Sequence, residues 1–163
     1  KAKSITIKNN NIIYVEQENK ELGFVGNPKK VDAKLLKEII KEDFIPVIVP
    51  MGLDEKGIAY NINADTAAGA VARSIKSRRL MLLTDIDGVL DNNEKLISEI
   101  NTAEAKELVN NETIHGGMIP KVKTCIDAIN NGVRAVVILD GRKPHSILFE
   151  LFSDKGAGTL IRK

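Results

Sequence analysis

Leu80-Met81-Leu82-Leu83-Thr84-Asp85-Ile86-Asp87-Gly88-Val89-Leu90 runs from four consecutive apolar residues into two carboxylates and a glycine. A short, nearly continuous apolar run is what a strand covered on both faces requires, and the Asp-x-Asp-Gly that follows reads as a loop. Two other runs share this form. Ile45-Pro46-Val47-Ile48-Val49-Pro50 leads into Met51-Gly52, with Pro46 tolerable only near a strand start, and Ala135-Val136-Val137-Ile138-Leu139 leads into Asp140-Gly141. Segments of helical period lie between them. Asp32 caps a helix with Leu35, Leu36, Ile39 and Ile40 on one face. Ala64 to Lys76 places Ala64, Ala67, Ala68, Val71, Ala72 and Ile75 on a face small enough to approach a sheet closely. Thr102 caps a helix through Val109. Pro120, in the favoured first helical position, opens another that carries Ile119, Val122, Ile126 and Ile129 and ends at Asn131-Gly132. Helices alternating with buried strands predict an α/β fold, a mainly parallel sheet sandwiched by helices.

The periphery is more polar. Ser4 to Lys8, an Asn9-Asn10-Asn11 turn and Ile12 to Val15 predict a β-hairpin within residues 1–20, because Asn tolerates positive φ. Asp54-Glu55-Lys56-Gly57 predicts a second hairpin between Met51 and Tyr60. The tail adds a short helix from His145 to Phe152 and an edge strand at Thr159 to Ile161. The 163 residues are 43% apolar and 28% charged, which suits one globular domain. Lys plus Arg at 24 against Asp plus Glu at 22 leaves +2, so charge gives no case for nucleic acid or a membrane surface as partner. The single Cys125 excludes an internal disulfide framework and a multi-cysteine zinc site, and its helical run makes it a buried, inert thiol. Lys1 to Lys8 lacks the charged, apolar and small-residue regions of a signal peptide, and no apolar run approaches membrane length. A cytoplasmic domain is expected.

In open parallel sheets, ligands bind beyond the carboxyl ends of the strands, and glycines and carboxylates gather at all three ends. The Asp85-x-Asp87-Gly88 loop resembles the aspartate-nucleophile loop of haloacid-dehalogenase-type phosphatases. That chemistry also needs an acidic pair after a later strand to hold magnesium. The one candidate there is Asp140, followed by Gly-Arg-Lys, which weakens a cation site. Tyr60 to Asp65 carries Asn61 and Asn63 at alternate positions, so both amides can face one ligand, and Asp65 lies in a first helical turn that favours an anion. Asn63 as a helix cap is the structural alternative. Lys121 sits near a helix start, where a cation is disfavoured by ~0.3–1 kcal/mol. A phosphate cradled by Gly116-Gly117 would reverse that sign. A lysine reaching to water is the structural alternative.

Taken in order, Leu22-Gly23-Phe24-Val25-Gly26, Ile45 to Gly52, Tyr60 to Ala72, Leu82 to Leu90, Gly116 to Lys121 and Asp140 to Thr159 closely resemble the N-acetyl-L-glutamate kinases. These are a branch of the amino acid kinase superfamily, and the likeness covers essentially the whole chain. The resemblance implies an amino acid (carbamate) kinase-like fold. It also implies phosphoryl transfer from ATP, with Mg2+ held mainly by the phosphates and no dedicated metal ligand, to the γ-carboxylate of N-acetyl-L-glutamate. By position it makes Asn61, with Asn63 beside it, the substrate-binding pair, and Asp65 the carboxylate that orients catalytic lysines. Lys121 becomes the catalytic lysine on the nucleotide side. Thr84, Asp85, Ile86, Asp87, Gly88, Val89 and Leu90, with Thr113, Ile114, His115, Gly116, Gly117 and Met118, become the nucleotide pocket. The tail resembles arginine-inhibited members, implying arginine as effector at His145, Glu150 and Gly158. A PII-type partner and homo-oligomers are also properties of the family.

The family pattern begins with a lysine-glycine-glycine loop, a second glycine pair and a substrate-gripping arginine, none of which occurs before Asn61. The expectation is therefore a carboxyl-terminal, ATP-binding lobe that turns over negligibly alone. A non-catalytic nucleotide- or arginine-binding module, and another amino acid or carbamate kinase, are the alternatives.

Overall fold

A computed structural model describes residues 1–163. The chain divides into two compact units, Lys1–Ile75 and Lys76–Lys163, where the sequence predicts a single domain.

In the first unit, β1 (Ala2–Ile5) pairs in parallel with β4 (Ile45–Ile48), in register Ala2 to Ile45 through Ile5 to Ile48. A four-stranded sheet has the order β3 (Gly26–Val31), β2 (Ile13–Gln17), β5 (Met51–Leu53), β6 (Ala59–Asn61). The predicted hairpin within residues 1–20 does not form, because β1 and β2 enter different sheets. Its turn chemistry is present: Asn9 Oδ1 accepts the Thr6 N–H at 2.8 Å, and the Asn10 N–H donates to the Thr6 carbonyl at 2.9 Å. That turn ends β1 without laying β2 beside it. The alternation of Ile5, Ile13 and Val15 specifies which residues face the core, and β1 meets that demand equally well beside β4. The second hairpin forms as predicted. Asp54 Oδ1 accepts from the Lys56 and Ile58 N–H groups at 2.9 and 2.8 Å, joining β5 to β6.

Helix α1 (Ala33–Lys41) starts where predicted, with Asp32 Oδ1 accepting from the Lys34 and Leu35 amides. Leu36 and Ile39 join Ile5, Ile13, Val15, Tyr60 and Ile62 in the core of this unit. The strand at Ile45 to Pro50 is shorter than predicted and half-covered: Ile45 is 67% exposed and Val47 53%. Its two-stranded sheet has one open face, whereas an unbroken apolar run predicts cover on both. Helix α2 (Ala64–Ser74) buries Ala67, Gly69, Ala70 and Ala72 and lies against β3. The bare backbone at Gly52 permits close strand packing, since a Cβ there would lie 2.4 Å from the Ile13 carbonyl oxygen.

The second unit is built on a sheet of order β7 (Arg79–Thr84), β9 (Ala135–Asp140), β10 (Gly158–Arg162), β8 (Glu99–Asn101). β7 runs parallel to β9 and β8 parallel to β10, while β9 and β10 are antiparallel. The predicted edge strand of the tail is therefore an inner strand, with Thr159 and Ile161 fully buried. Helices α3 (Thr102–Asn110) and α4 (Met118–Asn130) pack together. Asn101, not Thr102, caps α3, and it does so in a capping box with Glu104. Val122, Cys125, Ile126, Ala128 and Ile129 of α4 are buried. In α5 (Ser146–Phe152), the polar Ser146 and Glu150 face inward while Phe149 and Phe152 are 51% and 82% exposed.

Candidate functional site

The register of β7 and β9 brings two of the predicted strand ends together. Thr84 lies opposite Asp140, and the Gly141 N–H donates to the Thr84 carbonyl at 2.8 Å. A cavity of about 450 Å3 opens beyond the end of β7. Thr84, Asp85, Ile86, Gly88, Val89 and Leu90 form one wall, and Thr113 to Met118 form the other, with Lys121. Thus the two segments singled out in the sequence, beginning at Thr84 and Thr113, share one concavity. Ile86, Val89, Leu90, Ile114 and Met118 give it an apolar lining, and Asp85, His115 and Lys121 contribute polar groups.

Asp87 is missing from the lining. Lys143 Nζ pairs with its carboxylate at 2.9 Å, both side chains half-exposed, and of the Asp85-x-Asp87 pair only Asp85 lines the cavity. The adjoining Asp140 is buried, and Arg142 grips both of its oxygens, Nε to Oδ1 and Nη2 to Oδ2, each at 2.9 Å. The Arg142 amide adds a third bond to Oδ1. These bonds hold the Asp140 carboxyl at about 2, against an ordinary 3.8, and the Arg142 guanidinium is correspondingly stabilised in its charged form. The phosphatase alternative would need Asp140 to hold a cation, and both oxygens of that carboxylate are already engaged by Arg142.

Helix α4 meets the cavity at its N-terminus. Gly116 has φ +56°, and a Cβ on it or on Gly117 would meet nothing within 4 Å, so the turn leaves open space on the cavity side. Gly117 caps the helix without a side-chain bond, and the first turn holds no acidic residue. The helix starts at Met118, two residues before the predicted first position, so Pro120 is its third residue. A proline is still tolerated there because first-turn N–H groups have no partner within the helix. The Met118 and Ile119 amides make turn-like bonds to the His115 and Gly116 carbonyls at 3.3 and 3.2 Å. Lys123 lines a separate groove between α3 and α4 with Lys106.

Asn61, Asn63 and Asp65 belong to the first unit. Asn61 ends β6 and is exposed, and its N–H donates to the Phe24 carbonyl at 2.9 Å. Buried Ile62 separates it from exposed Asn63, as strand alternation requires. The Asn63 side-chain oxygen caps α2, accepting from the Asp65 and Thr66 amides at 3.0 and 3.2 Å, and Asp65 stands in the first turn. The structural alternative for Asn63 therefore accounts for its oxygen. The three predicted effector residues are scattered in role. His145 is exposed at the start of α5 with φ +60°. Glu150 is buried, receiving Arg79 Nη1 at 3.2 Å and the Ala157 N–H at 2.8 Å. Gly158 is wedged against β9, where a Cβ would lie 2.0 Å from the Ile138 carbonyl oxygen.

Two contacts behind the cavity wall were absent from the sequence reading. Lys143 pairs with Asp87, and the Thr159 hydroxyl accepts the Val89 N–H at 2.8 Å while donating to the Ile97 carbonyl at 2.6 Å. Both join residues more than 50 positions apart, and no local pattern announces them.

The acetylglutamate kinase of Pelagibacter ubique (strain HTCC1062) is 60% identical over 163 residues, covering 100% of this chain and 57% of that protein. The acetylglutamate kinase of Bradyrhizobium sp. (strain ORS 278) is 54% identical over 143 residues, 88% of this chain and 48% of that protein. The chain thus spans about half the length of these curated relatives. Among solved structures, N-acetylglutamate synthase from Neisseria gonorrhoeae, complexed with coenzyme A and N-acetyl-glutamate, superposes with a TM-score of 0.87 at 26% identity. That match covers 99% of this chain and 38% of the synthase. Carbamate kinase from Giardia lamblia bound to AMP-PNP gives a TM-score of 0.73 at 20% identity over 93% of this chain and 59% of that one, a likeness of fold. The family model described as the amino acid kinase family matches residues 1–140, and the chain belongs to that family.

Proposed function

We propose that the chain forms part of an acetylglutamate kinase and that the cavity beyond β7 receives ATP, the donor for phosphoryl transfer to the γ-carboxylate of N-acetyl-L-glutamate. The observation that carries this reading is the meeting of three features at one concavity: an apolar wall, the open Gly116-Gly117 turn at the start of α4, and Lys121. They fit a nucleotide triphosphate in order. Ile86, Val89, Leu90, Ile114 and Met118 suit a base, and the open Gly116-Gly117 turn with a lysine beside it suits phosphate. The 60% identity to an enzyme named acetylglutamate kinase supports the acceptor.

Phosphoryl transfer asks a protein for alignment and charge neutralisation rather than a covalent nucleophile. Lys121 supplies a fixed positive charge for phosphoryl oxygens, a type of contact worth ~2.7–4 kcal/mol where charge develops. The Lys143 ammonium beside Asp87 offsets a carboxylate that would oppose the phosphates. Magnesium bound with the nucleotide would be held mainly by phosphate oxygens and would offset the Asp85 charge, with no dedicated ligand from this chain. Asn61 is the contact for the α-carboxylate of the acyl substrate, and Asp65 the carboxylate that orients the lysines, as the resemblance implies. Arginine belongs to the same reading as an effector. Glu150 already accepts from Arg79 on one oxygen and from the Ala157 amide on the other, so a free guanidinium would share this carboxylate with Arg79.

The test is an acyl-phosphate assay on the full-length protein, with hydroxylamine trapping the product. Hydroxamate should form with ATP and N-acetyl-L-glutamate. Turnover with carbamate or free glutamate alone would transfer the assignment to another amino acid kinase.

A further inference from the structure

The inner strand β10 carries a side chain that acts on the cavity from behind. Thr159 is fully buried, and its hydroxyl bridges two points of the segment after β7. The single hydroxyl proton goes to the Ile97 carbonyl at 2.6 Å, which turns a lone pair toward the Val89 N–H at 2.8 Å. The Ile97 N–H donates to the Val89 carbonyl at 2.9 Å, so Val89, Ile97 and Thr159 form a closed set of bonds. Val89 lies in the cavity wall between Gly88 and Leu90. Gly88 seats directly on the same hydroxyl: a Cβ there would lie 2.6 Å from Thr159 Oγ1 and 2.7 Å from Leu96 Cδ1.

The wall is irregular backbone. Beyond Thr84 it leaves the ladder of β7, so its shape depends on the few groups that bind it from behind. A ligand that reads shape and backbone groups needs such a wall fixed to within about 0.5 Å. We infer that Thr159 is a positioning residue for the nucleotide site, holding Gly88-Val89 in the form that receives the ligand without touching the ligand itself. This inference rests on the nucleotide reading of the cavity given above.

Thr159→Val keeps the shape of the side chain and deletes the hydroxyl, leaving the buried Val89 N–H and the part-buried Ile97 C=O without their partner. Thr159→Ser keeps the hydroxyl. For each variant, the equilibrium Kd for MgATP is measured well below the melting temperature, beside amide hydrogen exchange of the unliganded chain. In Thr159→Val, the Val89 amide should lose protection and Kd should rise about tenfold. In Thr159→Ser, both should stay within about twofold of the parent. A purely structural role would lower the melting temperature while leaving Kd unchanged. A folded Thr159→Val chain with the parental Kd, or with an unchanged Val89 amide, overturns the inference. Should Thr159→Val not fold, Gly88→Ala presses on the same hydroxyl from the cavity side, and a parental Kd there overturns it equally. If the parent chain itself binds no MgATP, the nucleotide reading fails on its own count. The Val89 exchange rate then still decides whether Thr159 holds the wall.

Discussion

Gly158→Ala separates a packing role from a ligand role at a position where the family resemblance places an effector contact. Gly158 begins β10 opposite Leu139, and its Cα presses on the backbone of β9. A Cβ built there lies 2.0 Å from the Ile138 carbonyl oxygen and 2.9 Å from both the Ile138 carbonyl carbon and the Leu139 Cα. Every atom in that set is backbone, and Ile138 and Leu139 are fully buried, so no flexible side chain can swing aside. To bring 2.0 Å to ordinary contact, β10 must part from β9 by more than an ångström, which strains the ladder that also carries Thr159. Overpacking of a tight core costs ~1–3 kcal/mol, and rigid neighbours put this case at or above the upper end. For a chain of this length, 3 kcal/mol corresponds to a fall in Tm of roughly 6–12 °C. Thermal unfolding followed by circular dichroism measures it, without any ligand. A Gly158→Ala chain whose Tm stays within about 2 °C of the parent would refute the packing argument. Loss of an arginine response in the same variant could then be read as loss of a ligand contact.

Three other expectations concern single residues. Lys121→Ala should weaken MgATP binding by about 10- to 100-fold, the worth of a charge-assisted bond, and calorimetry giving equal affinities would remove Lys121 from the site. Asn63→Ala should cost ~1 kcal/mol of stability through loss of the α2 cap, with Asn63→Ser recovering most of it; equal urea midpoints for all three chains would contradict the cap. The third expectation is a pH effect. The Asp140 carboxyl is depressed from 3.8 to about 2, so its contribution to stability is complete above pH 3.8 and is lost as pH falls toward 2. Arg142→Met removes the main cause of that depression, and acid unfolding should begin at a higher pH than in the parent. Coincident acid midpoints from an unfolding series over that range would show that the ion pair does not set acid stability.

What could be read from sequence follows the range of the physics involved. Asp32 capping α1, the Asp54–Gly57 turn and the buried run of β9 are local matters of capping, turn chemistry and apolar continuity, and each appears where predicted. Strand partners are not local. The same alternation of Ile5 and Ile13 serves a hairpin or two separate sheets, and pairing with β4, 43 residues further along the chain, decides between them. The run at Ile45 to Pro50 failed as a two-sided buried strand because apolar composition cannot say how many layers cover a strand. β8 escaped notice altogether, being three residues long with a charged Glu99. The segments lining the cavity were legible because glycines and carboxylates at strand ends break the apolar pattern. The groups that hold those segments were not. Lys143 on Asp87 and Thr159 on Val89 act across the fold, from residues whose own neighbourhoods look ordinary.

The central claim is that nucleotide enters the cavity between the loop after β7 and the start of α4. Backbone amide NMR shifts during a titration of the chain with MgATP test it most directly. Saturable shifts should concentrate on Thr84 to Leu90 and on Thr113 to Lys121, with little change along the α3–α4 groove around Lys106 and Lys123. Shifts centred on that groove, or no saturable shifts at all, would contradict the account.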